Sequence, residues 1–387
     1  MRVLHYKPTM RAEEGGVVKA VFDLCLLTAS ERVDVGLATY HTDLVRRNLP
    51  PGADAGLVLH GVDLPHPTTR LLPRADLAAL RRVIAGYDIV HLHTIWTPSN
   101  TQVTRICRSL NIPYVITVHG MLDDWCMSQS RIKKKIYLAT WGRGLIPDAA
   151  RVHATSAAEQ EHIDRHTGHG NSTTIPLPVN LDAYRDLPGP DRAYERFGAL
   201  RRDVPVILFL SRIHHKKGLD RLIEASAILH RRGAEHQLII AGTGEKNYLN
   251  AMRNLTARHG VEESTRFLGF VDGPEKIALF QAATVFALPT SQENFGFVFF
   301  ESLAAGTPVV TTRGADTWGE ILESGGGVIS ANTPGAFADA IEPLIRSPGK
   351  ARAMGDRARH WAIDRFDRTR IVAAYEDMYA ACLGEQA

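Results

Sequence analysis

Residues 293–301 read ENFGFVFFE, and the segment around them decides the fold of this chain. A short apolar run at residues 285–289 precedes them, as expected for a buried parallel strand that ends in a loop. From Phe297 onward the apolar residues recur at helical spacing until a glycine ends the run. The pattern therefore predicts that Glu293 lies in a loop and that Glu301 lies on the helix that follows.

The loop between these two glutamates is predicted to expose backbone N–H groups at a helix start. Such helix starts favour anionic or hydroxyl-rich ligands. If all positions from Glu293 to Glu301 were helical, they would span about 12 Å, which is comparable with the separation of the two sugars in a nucleotide sugar. A helix-capping Asn294 flanked by two solvated carboxylates is the alternative that these residues alone leave open.

Length and composition restrict the kind of protein. The chain has 387 residues, so two domains are expected, and its contents of 44% hydrophobic and 22% charged residues are those of a soluble globular protein. A net charge of +3 implies no nucleic-acid partner. The four scattered cysteines form no C-x-x-C pair, which argues against a disulfide framework or a zinc site. We predict a cytoplasmic protein without signal peptide or membrane span, and peripheral membrane attachment stays open.

Apolar runs and amphipathic segments alternate along the first half of the chain. The predicted strands are residues 3–6, 34–39, 56–59, 88–93, 114–118 and 152–155. The predicted helices are a segment opened by Gly15 and Gly16 and residues 74–85, 101–110, 131–143 and 157–166. This alternation indicates a parallel sheet with helices on both faces, in which ligands bind beyond the carboxyl ends of the strands.

Several residues of the first half are candidates for a site. The glycine pair at Gly15 and Gly16 would let backbone approach a phosphate, although two glycines alone favour a simple tight turn. His119 directly follows a predicted strand, where it could bind a ligand, carry a proton or bond a loop carbonyl. His91 and His93 alternate on one strand, and with no third ligand at sensible spacing we predict core or cleft-wall residues rather than a metal site.

A basic helix is predicted at residues 131–143. It carries three consecutive lysines at residues 133–135 among apolar residues. A solvated helix face is one interpretation, and contact with anionic lipid or a phosphorylated acceptor is the other.

A proline-rich stretch near residues 180–200 predicts the domain boundary. Beyond it, the apolar run at residues 204–210 predicts a central strand, and SRIHHKKG at residues 211–218 predicts a basic loop at its end. Such a loop suits a diphosphate, because Arg212 offers a planar fork and Lys217 a mobile charge beside a helix start. A basic surface loop is the alternative.

The second half repeats the alternation. Its other predicted strands are residues 237–241, 265–271, 285–289 and 308–311. Its predicted helices are a segment from residue 219 and residues 245–259, 274–282, 316–323, 334–345, 350–366 and 369–382, with a glycine turn at residues 325–327. Neither glycine turn, at residues 15–16 or 242–244, has the third glycine of a dinucleotide-binding fingerprint.

With SRIHHKKG, AGTGE, RFLGFV, ALPTSQENFGFVFFESLAAGTPVV and the N-terminal GG, the chain resembles the family-four retaining glycosyltransferases of GT-B fold. The resemblance implies an α/β protein of two facing Rossmann-like domains, with an active site in the cleft between them. We accordingly predict an acceptor-binding domain at residues 1–185, a nucleotide-sugar-binding domain at residues 200–366, and a terminal segment at residues 367–387 whose helix crosses back to the first domain.

The resemblance also implies roles for individual residues. It assigns Arg212 and Lys217 to the donor diphosphate, Glu301 to the ribose hydroxyls and Glu293 to the transferred sugar. It places His119 near that sugar, which makes Glu293, His119, Arg212 and Lys217 the predicted catalytic set. The remaining implied donor-binding positions are Gly16 at the phosphate, Gly242 and the backbone around Phe270 and Val271 at the nucleoside, and the backbone N–H groups of Asn294, Phe295 and Gly296 at the transferred sugar. Ser211 stands where the family commonly has glycine, and it keeps a small residue there.

The implied function is transfer of a sugar from a UDP- or GDP-sugar to a glycan or lipid-linked acceptor, in cell-surface polysaccharide biosynthesis at the cytoplasmic face of the inner membrane. We expect no cofactor, and no metal because no carboxylate cluster shows metal-ligand spacing. Acceptor specificity is assigned to the loops at residues 8–14, 93–100 and 120–135. The alternatives are a sugar-nucleotide epimerase or phosphorylase of similar plan and a non-catalytic sugar-nucleotide-binding subunit. The oligomeric state, the donor sugar and the acceptor stay open.

Overall fold

The computed structural model describes residues 1–11, 15–29, 33–49, 56–62, 71–168, 170–198 and 200–384. The chain forms two compact units, one comprising Met1–Pro178 with Asp367–Ala387 and the other Val179–Phe366. Residues 12–14 of the predicted acceptor loop lie outside the described residues.

The second unit begins at Val179, ahead of the predicted linker, because the linker residues form hydrogen bonds and an ion pair with the second unit. The carbonyl of Tyr184, in the short turn Asp182–Tyr184, accepts a hydrogen bond of 2.7 Å from Arg359. Arg192 forms an ion pair of 2.6 Å with Glu275.

The first unit is built on a parallel sheet of seven strands in the order β3-β2-β1-β4-β5-β6-β7. The strands are β1 (Arg2–Tyr6), β2 (Asp34–Thr39), β3 (Leu57–Gly61), β4 (Ile89–His93), β5 (Tyr114–Thr117), β6 (Arg151–Ala154) and β7 (Ser172–Thr174). The helices between them are α1 (Gly16–Thr28), α2 (Thr42–Asn48), α3 (Arg74–Ile84), α4 (Pro98–Ser109), α5 (Asp124–Ser128), α6 (Arg131–Ala139) and α7 (Ala157–Thr167). All residues of the central strand β4 are buried, as expected for a strand covered on both faces.

The second unit repeats this plan with six parallel strands in the order β10-β9-β8-β11-β12-β13. The strands are β8 (Val206–Leu210), β9 (Gln237–Ala241), β10 (Thr265–Gly269), β11 (Val285–Ala287), β12 (Val309–Thr312) and β13 (Gly327–Ser330). The helices are α8 (Asp191–Arg196), α9 (Leu219–Arg231), α10 (Lys246–Arg258), α11 (Gly273–Ala282), α12 (Phe297–Ala304), α13 (Trp318–Glu323), α14 (Pro334–Arg346) and α15 (Pro348–Arg365). The two sheets confirm the predicted α/β fold with two Rossmann-like units.

The last helix, α16 (Arg368–Gly384), packs in the first unit. Its buried residues Ile371, Tyr375 and Tyr379 share one apolar core with Val21 and Leu24 of α1. Burial of a large side chain such as that of Tyr375 or Tyr379 contributes on the order of 2 kcal/mol to the free energy of unfolding. The helix is therefore an integral part of that core.

Short elements account for most differences from the sequence-based assignment. Helices α2, α5 and α8 and strands β7 and β13 were not predicted, because each is too short for a clear hydrophobic period. The predicted turn at residues 325–327 is wrong at Gly327, which begins β13. Helix α4 starts at Pro98 and α6 ends at Ala139, earlier than predicted in both cases. None of the described helices combines the length and the apolar composition that a membrane span requires.

Candidate active site

Four loops meet at the carboxyl edge of the sheet in the second unit, and we call residues 211–218, 242–245, 288–296 and 313–317 the loop cluster. Ile213 forms a bridge with Gly244, and Glu293 forms another with Ala315. The Ser291 N–H donates to the Lys216 carbonyl at 2.7 Å. Backbone pairing thus joins the loops, so their side chains are presented from a fixed framework at the edge where α/β sheets bind ligands.

Two glycines make this close approach possible. Gly242 has a φ of 142°, and a Cβ there would lie 1.9 Å from the Ser211 carbonyl oxygen. Gly218 has a φ of 72°, and its Cβ would lie 2.1 Å from the Pro289 carbonyl oxygen. Any side chain at either position would push the loops apart. Since Ser211 meets Gly242 through its backbone, the serine in place of the expected glycine does not obstruct this contact.

The structure brings the predicted residues Lys217 and Glu293 into direct contact. The Lys217 ammonium donates to Glu293 Oε2, and the two side chains are only 12% and 22% exposed. Burial, together with the cations of Arg212 and Lys216, lowers the pKa of Lys217 to about 7. A carboxylate in contact with an ammonium favours its charged form, so the ion pair with Glu293 opposes the effect of burial on Lys217.

Arg212 lies on the same loop with an exposed side chain, and it forms no ion pair with a described residue. Its charge nevertheless acts on Lys217, because it is one of the cations that lower the pKa of that ammonium. The loop after β8 therefore gathers three cations, the exposed Arg212 and the partly buried Lys216 and Lys217, an arrangement suited to a doubly charged anion.

The loop from Glu293 to Gly296 is fixed by backbone bonds to the neighbouring loop. The Glu293 N–H donates to the Gly314 carbonyl at 2.7 Å, and the Asp316 N–H donates to the Glu293 carbonyl at 2.9 Å. Asn294 Nδ2 donates to Asp316 Oδ2 at 3.3 Å. Gly296 precedes α12 with a φ of 67°, so the positions between the glutamates are not all helical and the 12 Å helical span does not apply.

Phe295 offers a ligand its backbone alone. Its ring is buried against Phe300 and Phe366, with centroids 5.0 and 6.1 Å away. The Phe295 ring packs against these two rings and thereby holds the start of α12 in place. That the backbone N–H groups of this stretch bind the transferred sugar stays a prediction.

Glu301 lies on α12, as predicted, and pairs with a residue that sequence reasoning missed. Lys276 Nζ donates to Glu301 Oε1 at 2.9 Å. Both residues line a cavity of about 660 Å³ within the second unit, together with Asn180, Tyr184 and other residues. The available sequence cue was Lys276 in the first turn of α11, directly after the predicted nucleoside loop.

Phe270 and Val271 follow β10 at the same edge. The Phe270 side chain is exposed, whereas Val271 is buried. The Gly269 carbonyl before them accepts a hydrogen bond of 2.6 Å from the Gly242 N–H. Their predicted contact with the nucleoside stays a prediction.

In the first unit, Gly16 begins α1 after Gly15, whose φ is 72°. A Cβ on Gly16 would meet no atom within 4 Å. The described residues therefore do not require glycine at this position for packing. A phosphate that approaches the start of α1 would need this open space. The phosphate contact of Gly16 stays a prediction.

His119 follows β5 with a φ of 57°, a conformation uncommon for a residue with a side chain. The next residue, Gly120, donates its N–H to Glu159 Oε1 at 2.5 Å. Glu159 Oε2 accepts from both the N–H and the hydroxyl of Thr155 at 2.6 Å. This buried carboxylate was missed, although Ser156 and Glu159 form a recognisable capping pair at the start of α7.

Five buried histidines, His5, His91, His93, His119 and His153, form what we call the histidine cluster. The prediction that His91 and His93 lack a third possible ligand is wrong, because β1 places His5 beside them with the ligand nitrogens all within 4.8 Å. The register of β1 against β4, which pairs His5 with His91, is the reason.

The ring orientations favour hydrogen bonding over metal ligation in this cluster. The His91 and His93 rings are inclined by only 20° with centroids 4.5 Å apart, so their lone pairs do not converge on one point about 2 Å from each nitrogen. Both His91 nitrogens already lie at hydrogen-bond distance from hydroxyls, Tyr379 at 2.7 Å and Thr117 at 2.6 Å. Metal independence of the protein stays a prediction.

Comparison with known sequences matches both units. A family model for a glycosyl transferase 4-like domain matches residues 15–178, and one for glycosyl transferases group 1 matches residues 191–361. A GDP-mannose-dependent alpha-(1-6)-phosphatidylinositol monomannoside mannosyltransferase of Mycolicibacterium smegmatis is 31% identical over 323 residues, covering 79% of this chain and 80% of the relative. A D-inositol 3-phosphate glycosyltransferase of Corynebacterium aurimucosum is 28% identical over 313 residues, covering 76% and 72%.

Solved structures share the fold. Anabaena HepE, crystallised with UDP and glucose, has a TM-score of 0.77 and 19% identity, covering 98% of this chain and 100% of its own. Sucrose-phosphate synthase from Thermosynechococcus elongatus has a TM-score of 0.79 and 21% identity, covering 100% of each chain. These likenesses confirm the predicted GT-B fold. With both family models and the mycobacterial relative, they lead to the conclusion that the chain belongs to the glycosyl transferases group 1 family and is a glycosyltransferase.

Proposed function

We propose that this glycosyltransferase moves a hexosyl group from a nucleotide diphosphate sugar to a glycan or lipid-linked acceptor, with retention at the anomeric carbon. The observation that supports this most is the contact of Lys217 with Glu293 beside Arg212. Cleavage of the sugar–phosphate bond leaves negative charge on the departing diphosphate. Fixed cations aimed at that charge each lower the barrier by on the order of 3 kcal/mol.

The Lys217–Glu293 contact gives each partner a role in the reaction. A bound diphosphate would take over the Lys217 ammonium as its own counter-charge, which would leave the Glu293 carboxylate directed at the sugar. That carboxylate would then stabilise the positive charge that the sugar ring gains. The proton of the attacking hydroxyl would pass to a phosphate oxygen on the face that the diphosphate leaves. This route needs neither a metal nor a cofactor.

Glu301 and Lys276 belong to the nucleoside end in this proposal. Their cavity of about 660 Å³ has the size of a small-molecule site. Glu301 would accept hydrogen bonds from the ribose hydroxyls, and Lys276, whose Nζ lies 2.9 Å from Glu301 Oε1, would hold that carboxylate in place. Gly242, Phe270 and Val271 would complete the nucleoside end within the second unit.

His119 would act as a hydrogen-bonding group toward the sugar. Burial, with smaller effects from His153 and Lys7, lowers the pKa of His119 to about 3. The imidazole is therefore neutral at physiological pH, so it can donate or accept a hydrogen bond but carries no positive charge.

A donor screen tests the proposal. The M. smegmatis relative is named for GDP-mannose and the HepE structure holds UDP and glucose, so UDP-glucose and GDP-mannose should both be tried, with a lipid extract as acceptor. We expect release of nucleoside diphosphate that requires the acceptor. Sugar interconversion without acceptor would indicate the epimerase, and binding without turnover would indicate the non-catalytic subunit.

Metal independence is tested in the same assay. Turnover should be unchanged after chelation with EDTA, because Arg212 and Lys217 would neutralise the diphosphate in place of a metal. Lost activity that magnesium or manganese restores would contradict this part of the proposal.

A lipid-linked acceptor would bring the enzyme to a membrane surface, and α6 supports that proposal. None of its residues is buried, and Ile132 and Ile136 are 74% and 57% exposed beside lysines 133–135. Apolar side chains flanked by cations favour binding to anionic lipid on the cytoplasmic leaflet.

Vesicle sedimentation checks this surface. The protein should bind vesicles that contain phosphatidylserine more than neutral ones, and replacing Ile132 and Ile136 with Ser should weaken binding. Leu322→Ser is the matched control, since Leu322 is an exposed apolar residue of the second unit. Equal losses in both variants would show that α6 has no special role.

A further inference from the structure

A row of three buried histidines ends at His119. His5 Nδ1 lies 3.0 Å from His93 Nε2, and His93 Nδ1 lies 3.1 Å from His119 Nε2. Burial lowers the pKa of all three imidazoles, so each is neutral near pH 7. A neutral imidazole has one N–H donor and one acceptor nitrogen. Both hydrogen bonds of the row must therefore run in the same direction.

His5 Nε2 decides between the two directions. It is buried and has no hydrogen-bond partner among the described residues. If the row ran from His119 to His5, this atom would carry a buried N–H without an acceptor, an arrangement that is rare in folded proteins. If it runs from His5 to His119, His5 donates through Nδ1 and Nε2 carries no proton. His119 then accepts through Nε2 and carries its own proton on Nδ1.

We propose that His93, supported by His5, is a positioning residue that holds the His119 imidazole as the Nδ1–H tautomer, so that this N–H can bond a hydroxyl of the transferred sugar. The sugar contact rests on the proposed function, whereas the tautomer is a property of the protein without donor. Glu159 fixes the same loop from its backbone, because it accepts the Gly120 N–H while His119 holds a positive φ. Ring and backbone are thus both preorganised.

A second hydrogen-bonded row, which includes His91 of the same strand β4, provides a matched control. His153 Nε2 lies 2.7 Å from the Ile175 carbonyl, which can only accept, so that nitrogen carries the proton. The Thr117 hydroxyl must then donate to His153 Nδ1, and it accepts from His91 Nε2. Since Nε2 of His91 carries the proton, the Tyr379 hydroxyl donates to His91 Nδ1. His91 is as buried as His93 and two residues away, but His119 takes no part in its row.

The tautomer is measured by ¹⁵N NMR of histidine-labelled full-length protein, with the His119 signals identified by their loss in His119→Gln. We expect an Nδ1–H His119 in the wild type. His93→Asn, whose amide N–H can replace the Nδ1–H of His93, should keep it. His93→Phe should return His119 to the Nε2–H form that free histidine prefers, and His91→Gln should leave it unchanged.

An Nε2–H His119 in the wild type would overturn the proposal. A His119 that stays in the Nδ1–H form in His93→Phe, or that changes its tautomer in His91→Gln, would overturn it as well. In the donor assay, His93→Phe should lower kcat/KM about tenfold, the effect of one hydrogen bond, with most activity kept in His93→Asn. Unchanged kcat/KM in His93→Phe would refute the sugar contact. If no donor turns over although the tautomer is as stated, the proposed function fails and the positioning role of His93 stands.

Discussion

The loop cluster of the second unit and the histidine cluster of the first unit both gather polar side chains near the ends of parallel strands, but they treat charge differently. In the loop cluster, Lys217 and Glu293 keep some exposure and face each other as opposite charges. In the histidine cluster, burial is nearly complete and the imidazoles bond to one another and to hydroxyls. The partly exposed loop cluster can therefore meet an anionic ligand, whereas the buried histidine cluster fixes the positions of its own side chains.

The largest expected effect is on the loop cluster. Lys217→Ala should reduce turnover by on the order of 100-fold or more, because its ammonium would meet the leaving diphosphate. The free energy of unfolding should also fall, by about 1–3 kcal/mol, because the mostly buried Glu293 carboxylate loses its partner. Arg212→Ala should reduce turnover similarly.

Nucleotide release and urea unfolding measure these two quantities. Lys216→Ala is the control, since it removes a neighbouring charge whose ammonium lies 3.4 Å from Gln292 Oε1. Near wild-type turnover in Lys217→Ala would refute the diphosphate assignment.

The two glutamates should differ in how they affect the kinetics. Glu293→Gln should lower kcat at similar donor affinity, because its charge would act mainly on the transition state. Glu301→Gln should mainly raise KM, since the ribose does not change during the reaction. Calorimetry of donor binding and initial rates separate the two quantities. A weakened donor affinity with unchanged kcat for Glu293→Gln would make Glu293 a binding residue only.

The histidine cluster should make the protein sensitive to acid. Burial lowers the pKa of His5 to about 3 and of His153 to about 4, and lowers those of the other members as well. Between these values and about 6.5 the unfolded chain binds more protons than the folded one, so the free energy of unfolding falls as pH falls. Each such histidine should cost on the order of 1 kcal/mol per pH unit within that window.

Urea unfolding between pH 7 and pH 5 checks this slope. His91→Gln should make the slope shallower, whereas replacing the exposed His259 with Gln should not. Equal slopes in His91→Gln and the wild type would mean that the cluster is not the source of the acid sensitivity.

The smallest effect concerns the attachment of α16. Tyr379→Phe removes the donor to His91 Nδ1 and should lower the free energy of unfolding by about 1–3 kcal/mol. Turnover should stay near the wild-type value, because this row does not include His119. Thermal melting and the donor assay measure the two effects. A loss of turnover without a loss of stability would connect the second row to the site.

Local patterns in the sequence determined the two parallel sheets, the basic loop after β8 and the glutamate loop before α12. Each of these depends on residues close together in the chain, where the hydrophobic period and turn residues are directly readable. Neighbouring parallel strands end at the same edge, so the loops that carry Lys217 and Glu293 are expected to lie close together. Only the structure shows that the two side chains are in direct contact.

Other partnerships were decided only by the tertiary structure. The return of α16 to the first unit, the meeting of His5 with His93, the Glu159 bond to Gly120 and the Lys276 pair with Glu301 each join residues from separate elements. A histidine or lysine in a strand or helix has the same local pattern whether it is solvated or paired. Strand register and helix packing select its partner, and the burial that results sets its charge.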